Sequence, residues 1–412
     1  MIKNKFLNIM LICAVCFIST IPAYGMVVKK LKNGLTIVYI DNKKLKKTII
    51  QTRFRVGSSS DPDTMSGLGY VMSRLICSNN NIPKNLKRHN LKVYRFFDRD
   101  FTVCTYVADR ISTYDLIRFV GKRLTRPGFV AIEEDEAISS TIKSFPKPGN
   151  ILETLYQNEF YGTKYEQPIE GTLHGLNTIK AAGIHYVISR YYSYYVPMLT
   201  VVAIEGHINK RIVLSDATKL YGRMPGHIVK PAIVETPAVN YAVPTIKITG
   251  EINSIHLAFA SPNYASENSQ ALFVLSRLLE LGKQDYDPDS VWDFRVHYNP
   301  FSAGPGLFVI SHSRTGEYSK KFIDSVIEII KTSPVSRKDL LKAKTEALKF
   351  IAKKTTISDV SESVSLTGSP NIFKIYANEV KKVTGRDIRR AARTWLVEHY
   401  ETIGYTVKHK TE

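Results

Sequence analysis

The sequence predicts an α+β protein in which one order of secondary-structure elements occurs twice. Short segments alternate apolar and polar residues, which is typical of strands, and longer segments repeat apolar residues every three or four positions, which is typical of helices. In each half, two strands, a helix, further strands, at least three helices and a closing strand follow in that order. The two halves also end in the same way. The first ends with a helix over 176–195 and a strand over 198–205, and the second ends with a helix over 384–397 and a strand over 402–407. A chain of 412 residues suffices for two ordinary domains.

The first half opens with a hairpin and a strand–loop–helix unit. Asn33-Gly34 is typical of a tight hairpin turn. In residues 50–56 the apolar positions alternate with Gln51 and Arg53, which predicts a half-buried strand. After a turn-rich loop, a short helix is predicted with one buried stripe. That stripe contains Leu68, Val71, Met72, Leu75 and Ile76.

The rest of the first half is predicted to hold two strands and four helices. The strands lie within 91–108, and Ser112-x-x-Asp115 predicts a capping box at the start of the next helix. Further helices are predicted over 132–145, 150–161 and 176–195.

Residues 226–245 are the predicted linker, because prolines are frequent there and no periodicity is visible. They separate domains over 26–225 and 246–412. In the second domain, strands are predicted over 254–260, 291–298 and 306–311, helices from Ser266 and over 321–330 and 336–353, and a serine-rich loop over 358–369. Thr384-x-x-Asp387 predicts the cap of the last helix.

The helix after residue 67 carries a family resemblance. Its other face presents Tyr70, Ser73 and Arg74, at the spacing of a metal motif. The strand, the Gly-Ser loop and the helix opened by Ser-Gly-Leu resemble the start of the pitrilysin/insulinase family of zinc metallopeptidases, which includes mitochondrial processing peptidase and bc1 core proteins. In that family the helix bears His-x-x-Glu-His, whose imidazoles bind zinc and whose glutamate activates water. Here a phenol, a hydroxyl and a guanidinium replace them, so the chain resembles a degenerate, non-catalytic member.

The resemblance covers nearly all of the chain after the N-terminal segment. A Tyr-Gly loop at 160–162 and a Gly-Thr turn at 171–172 follow the closing order of the family's first domain. The implied fold is two homologous α/β-sandwich domains, with mixed and mainly antiparallel sheets flanked by helices, arranged as a clamshell.

The family's third zinc ligand is a glutamate on a later helix. The resemblance places Ser140 or Thr141 there, and neither is a carboxylate. A register shift would bring a nearby acid into the site, whereas acids in the first turn of a helix also complement its dipole. These acids are Glu133, Glu134, Asp135 and Glu136.

The family also uses an arginine and a tyrosine of the second domain to hold the substrate and stabilise the transition state. Gly282 or a neighbouring residue aligns with the family's arginine, and Asp289 aligns with the family's tyrosine. Arg295 and Tyr298 follow closely, but their spacing on a strand places them on opposite faces.

Residues 1–25 are predicted to be a signal peptide, with a basic start, an apolar run and a small-x-small site at Ala23-Tyr24-Gly25. We therefore expect a periplasmic or secreted protein. Cys77 and Cys104 remain in the mature chain. The sequence leaves open whether they form a disulfide or are two buried thiols.

The net charge of +20 permits attraction to anionic lipid, lipopolysaccharide or acidic polypeptides. No nucleic-acid-binding motif accompanies it. The basic residues are scattered, apart from a cluster at Lys43, Lys44, Lys46 and Lys47.

The sequence therefore predicts an exported, non-catalytic peptidase homologue without a cofactor. It is expected to act as a homodimer or heterodimer, the latter with an active zinc peptidase, or as a scaffold for extended peptides or unfolded protein. One alternative is an active zinc peptidase with displaced ligands, which would bind zinc. Another is a basic protein that binds the anionic envelope surface.

Overall fold

The structure is a computed structural model that describes residues 25–143, 150–226, 245–250, 252–281, 294–313, 317–397 and 401–408. Its strands form two sheets, one in each half. The strands are β1 (Met26–Lys30), β2 (Thr36–Asp41), β3 (Lys47–Phe54), β4 (Lys92–Phe97), β5 (Thr102–Asp109), β6 (Thr200–Gly206), β7 (Thr245–Gly250), β8 (Ser254–Ser261), β9 (Phe294–Tyr298), β10 (Gly306–His312) and β11 (Glu401–Lys408).

The helices flank these sheets. Those of the first half are α1 (Leu68–Ile76), α2 (Lys84–Arg88), α3 (Thr113–Thr125), α4 (Ala131–Lys143), α5 (Ile151–Glu159), α6 (Leu173–Tyr194) and α7 (Lys210–Tyr221). Those of the second half are α8 (Ser269–Leu281), α9 (Glu317–Thr332), α10 (Arg337–Ala352), α11 (Ile357–Thr367), α12 (Ile372–Lys382) and α13 (Gly385–Trp395).

The two sheets share one topology. The first has the order β1-β2-β6-β3-β5-β4 and the second the order β7-β11-β8-β10-β9. In each sheet, one parallel pair (β2 with β6, and β7 with β11) adjoins antiparallel strands. The predicted fold of two mixed, mainly antiparallel α+β halves is therefore confirmed, and β1 is the only addition to the repeat among the described strands.

Each sheet packs one face against helices of its own half. In the first half, apolar side chains of β2, β3, β5 and β6 meet those of α1, α3, α6 and α7 in one core. In the second half, β8 and β10 pack against α8, α9, α10, α12 and α13. Each half thus has its own main core, as expected from burial of one sheet face by amphipathic helices, and the second core also includes Phe101 and Val103 of the first half.

The other face of each sheet is covered by a helix from the opposite half. Helix α5 packs on the second sheet through Leu155, next to Ala258 and Val309. Helix α11 packs on the first sheet through Val360 and Val364. Each half therefore covers the second sheet face of the other half with one of its own helices.

The exchange corrects two sequence predictions. Residues 358–369 were expected to be a loop, but most of them form α11, whose N-terminus is closed by a capping box between Thr356 and Asp359. Strand β3 was expected to be half-buried, but Gln51 and Arg53 on its second face are each only 3% exposed. The guanidinium of Arg53 donates from Nε to Ser361 Oγ at 3.0 Å, across the two halves.

One predicted helix cap is confirmed and another is wrong. Thr384 and Asp387 form the expected capping box of α13. Ser112 precedes α3 but its hydroxyl donates to the carbonyl of Asp109 at 2.8 Å, so the predicted box with Asp115 was wrong. The preceding turn, a short 3-10 helix, offers that carbonyl as a nearer partner.

Several predicted segments lie outside the described residues. These are the signal peptide apart from Gly25, nearly all of the linker over 226–245, and positions 282 and 289–291. In the described part of the chain, no helix combines the length and apolar character needed to cross a bilayer.

Candidate functional site

Helix α1 is held at its N-terminus by a buried carboxylate. Gly67 precedes it with a φ of +105°, a conformation that glycine adopts without strain. Asp61 accepts hydrogen bonds from the N–H groups of Gly67 at 2.8 Å and Gly69 at 2.7 Å. Burial raises the pKa of Asp61 to about 7, although these two N–H groups oppose the rise. The loop before α1 therefore fixes the position of the helix.

A disulfide fixes the other end of α1. Cys77, directly after the helix, is bonded to Cys104 of β5, with the two Cα atoms 5.2 Å apart. Of the two states left open by the sequence, the structure contains the disulfide. Helix α1 is thereby joined to the strand next to the sheet edge.

Arg95 of β4 lies against the motif face of α1. Its guanidinium carbon is 4.4 Å from the centre of the Tyr70 ring, and its Nη2 donates to the Tyr70 hydroxyl at 3.1 Å. Its Nη1 donates to Ser73 Oγ at 2.8 Å. The Ser73 hydroxyl in turn donates to the carbonyl of Tyr70 at 2.6 Å. One guanidinium therefore spans the positions that the resemblance aligns with the first zinc ligand and the general base.

Arg74, the third motif position, points towards α4. Its Nη2 donates to Ser140 Oγ at 2.6 Å. Thr141, the other candidate for the third ligand position, is buried and donates to the carbonyl of Ala137. The structure thus brings Arg74 and Ser140 together, whereas the guanidinium that stacks on Tyr70 is that of Arg95.

Of the four acids at the start of α4, two line the cleft beside this site and two do not. Glu133 accepts a hydrogen bond from Asn81, and Asp135 forms an ion pair with Lys180 at 3.0 Å. Glu134 is buried, and burial raises its pKa. A cleft of about 490 Å³ lies beside the site, lined among others by Arg74, Arg95, Glu133, Glu136 and Ser140.

The residues present do not fit the zinc ion that the family would hold. In the described ranges, no three His, Cys, Asp or Glu side chains come together in a way that could hold a metal. A phenol, a hydroxyl and two guanidinium groups occupy the site, and the guanidinium groups repel a cation. The arrangement can bind and orient polar groups through N–H donors, and a carboxylate, that of Glu170, accepts a hydrogen bond from the Tyr70 hydroxyl at 3.5 Å.

Strand β4 forms the sheet edge beside the site. Within the part of the chain that the structure describes, no strand pairs with its outer side. Tyr94 and Phe96 are each 54% exposed, and the strand register places them on the same sheet face as Gln51 and Arg53. The edge therefore combines unpaired backbone groups with two exposed aromatic rings on the face towards the second half.

The second-half candidates lie apart from this site. Tyr298 is buried in β9 and donates to the carbonyl of Ser269 at 3.3 Å, whereas Arg295 is exposed. Their predicted position on opposite faces of the strand is confirmed. Tyr298 supports the packing of α8 on the sheet.

Sequence reasoning missed Arg95. The alternation of Val93, Arg95 and Phe97 with Tyr94 and Phe96 was the available signal, because it placed a cation on the strand face towards the motif helix. The local pattern did not show that β4 pairs with β5. This pairing places Arg95 over α1.

Comparison with solved structures identifies the fold. A protease from Helicobacter pylori matches with a TM-score of 0.77 and 16% identity, over 93% of this chain and 99% of that chain. The peptidase M16 inactive domain from Pseudomonas fluorescens matches with a TM-score of 0.76 and 14% identity, over 93% and 99%. A chain of complex III from Candida albicans matches with a TM-score of 0.74 and 14% identity, over 92% and 95%.

No protein-family model and no curated protein sequence matches the chain. At identities of 14–16% the structural likeness shows the fold alone. The chain has the two-domain fold of the M16-like peptidases, which confirms at the level of the fold the resemblance predicted from the motif helix.

Proposed function

We propose that this protein is a non-catalytic peptidase homologue that acts by binding, either as the partner subunit of an active zinc peptidase or as a scaffold for extended polypeptides. One observation carries the proposal. The guanidinium of Arg95 spans Tyr70 and Ser73, where a peptidase of this fold would need a metal ligand and a base. The scaffold around the site is complete, since Asp61 and the disulfide hold both ends of α1.

The sheet edge at β4 is the proposed binding surface. An extended peptide can add to such an edge through main-chain hydrogen bonds, while side-chain contacts supply specificity. Tyr94 and Phe96 offer apolar area on one face of the added strand. Arg95 lies on the other face, in the place where a peptidase would attack the peptide. Binding without cleavage follows from this arrangement.

The solved relatives support a partner role. One of them is named as an inactive domain, and another is a chain of complex III. These names describe those proteins, and for this chain they support assembly with another subunit. Export is supported by the predicted signal peptide and by the Cys77–Cys104 disulfide, since disulfides persist in oxidising compartments.

The first experiment uses the purified chain from residue 26 onwards. We expect no bound zinc, no cleavage of an unfolded fluorescent polypeptide, and measurable binding of that polypeptide by anisotropy. The variant Tyr94→Ser/Phe96→Ser should bind at least about tenfold more weakly. The matched control Ile111→Ser/Ile375→Ser removes exposed apolar residues elsewhere and should bind as the wild type does. Chelator-sensitive cleavage would instead support an active peptidase with displaced ligands.

A second experiment tests the partner role. The tagged chain is isolated from its own envelope fraction, and the retained chains are identified by mass. Recovery of a similar-sized chain with an intact His-x-x-Glu-His motif would support a heteromeric peptidase. Recovery of this chain alone would leave the scaffold role and remove the partner role.

A further inference from the structure

Helix α13, far along the chain from the motif helix, carries a face made of arginines. Arg386, Arg389, Arg390 and Arg393 follow the spacing i, i+3, i+4 and i+7, which places them on one side of a helix. They line a groove of about 520 Å³ together with residues at the C-terminal end of α9. Three of the four, Arg386, Arg390 and Arg393, are exposed. We call this set the arginine groove.

The arginine groove is electrostatically unfavourable when nothing is bound. Like charges at i, i+3 and i, i+4 destabilise a helix, and four such pairs occur here. Asp387 forms an ion pair with Arg390 at 3.2 Å and also interacts electrostatically with Arg386. Arg393 donates from Nε to the carbonyl of Lys331 at 2.9 Å. No carboxylate of the described residues forms a direct ion pair with Arg386 or Arg389, so one carboxylate, Asp387, faces four guanidinium groups in this groove.

The composition of the groove indicates the class of ligand. All four cations are arginines in a chain that also has many lysines, and the planar fork of a guanidinium matches two oxygens of a phosphate. Four forks along one helix face suit an anion with several phosphate groups or a surface of phosphate head groups. A multivalent anion would also relieve the repulsion within α13.

We propose that the arginine groove is a binding site for phosphate-bearing anions. This site is independent of the proposed peptide-binding edge, since it is built from α9 and α13 of the second half and shares no residue with β4 or α1. Its success or failure therefore does not depend on the function proposed for that edge.

The test measures binding of two probes to the purified chain from residue 26 onwards. Sodium tripolyphosphate is titrated by calorimetry, and vesicles of phosphatidylglycerol with phosphatidylcholine are used in co-sedimentation, with pure phosphatidylcholine as the blank. Binding of tripolyphosphate identifies a site for free phosphate groups. Binding of the anionic vesicles alone identifies a site for lipid head groups. Either result supports the proposal when it depends on the arginines.

Three variants establish that dependence. Changing all four arginines to glutamine should weaken binding at least about tenfold, and changing them to lysine should weaken it less, because the charge stays while the fork is lost. The control changes Lys43, Lys44, Lys46 and Lys47 to glutamine, removing the same charge from exposed positions of the first half. That control should bind as the wild type does.

Three outcomes would overturn the proposal. The first is absence of binding to both probes by the wild type. The second is equal loss in the lysine-cluster control, which would indicate attraction by net charge alone. The third is tighter binding of an oligo-glutamate peptide than of tripolyphosphate, which would identify an acidic polypeptide as the ligand. Circular dichroism of each variant confirms that α13 is folded.

Discussion

The guanidinium of Arg95 stacks on the ring of Tyr70 at 4.4 Å and donates to its hydroxyl at 3.1 Å. The two residues come from the edge strand and the motif helix, so their contact joins α1 to the sheet edge. A fixed cation from the protein thereby contacts the two motif positions at 70 and 73.

Arg95 is predicted to stabilise the fold. In Arg95→Ala, two hydrogen bonds and a cation–π contact are lost, which we expect to lower the free energy of unfolding by about 1–3 kcal/mol. Urea denaturation monitored by circular dichroism measures the change. Arg95→Lys should retain part of the stability, because an ammonium still lies over the ring but lacks the fork. Equal stability of the wild type and the two variants would show that the contact contributes nothing to the free energy of unfolding.

Arg95 is also predicted to block a restored metal site. A graft of Tyr70→His, Ser73→Glu, Arg74→His and Ser140→Glu supplies the motif and third ligand of the family, but Arg95 still points at positions 70 and 73. We expect this graft to retain no zinc after dialysis. Adding Arg95→Ala should allow about one zinc per chain. Elemental mass spectrometry reads the zinc content, and equal zinc in both grafts would refute the blocking role.

The site shows what local sequence patterns contain and what they omit. The stripe of α1 and the replaced motif at Tyr70, Ser73 and Arg74 were readable because helical spacing is local. The contact between Arg95 and Tyr70 was not, since it depends on which strands pair. Likewise, the proximity of Arg74 to Ser140 followed from the family resemblance and not from spacing.

Helix α11 shows a similar limit at the level of the fold. Its serines favour local turns over helix, so residues 358–369 were expected to be a loop. Val360 and Val364 pack on the sheet of the other half, and the Thr356 capping box fixes the start of the helix. Burial across the two halves therefore outweighs weak local propensity.

The disulfide is predicted to contribute to stability. Cys77 and Cys104 are separated by 27 residues, and closing a loop of this size stabilises a fold by about 3 kcal/mol in the chain-entropy treatment. Cys77→Ala/Cys104→Ala should therefore unfold at a lower urea concentration than the oxidised wild type. Alkylation followed by mass measurement checks the bond itself. Labelling of both thiols without a reductant would contradict it.

The two halves are predicted to be coupled through Arg53 and Ser361. Arg53 Nε donates to Ser361 Oγ at 3.0 Å, and both side chains are buried between β3 and α11. A double-mutant cycle with Arg53→Met and Ser361→Ala should give a coupling energy of about 1–2 kcal/mol. Denaturation of the four proteins supplies the values. A coupling energy near zero would show that this hydrogen bond does not couple the two halves, which would leave the apolar contacts of α11 and the bonds from Arg53 to Ser358 to hold them together.

The last prediction concerns the pH dependence of stability through Glu159. This carboxyl group is fully buried, accepting from the Thr402 hydroxyl at 2.7 Å and from the N–H of Ala260 at 3.0 Å. Burial raises its pKa to about 7 in the folded protein, against about 4.3 for an unperturbed glutamate. The folded state therefore keeps this proton to higher pH than the unfolded state does. The stability that it contributes is complete below about pH 4 and is lost as the pH rises through about 7.

Glu159→Gln removes this titration but keeps an acceptor for Ala260. Between pH 4.5 and 8 we expect the free energy of unfolding of the wild type to fall relative to that of the variant by about 1–3 kcal/mol. Other buried groups, such as Asp61 and His256, titrate equally in both proteins and cancel in the difference. The control is Glu379→Gln, at an exposed glutamate that forms an ion pair with Lys382. Its free energy of unfolding should depend on pH as that of the wild type does. A wild type that runs parallel to Glu159→Gln would mean that Glu159 has the same pKa in the folded and unfolded protein, with its two donors balancing the cost of burial.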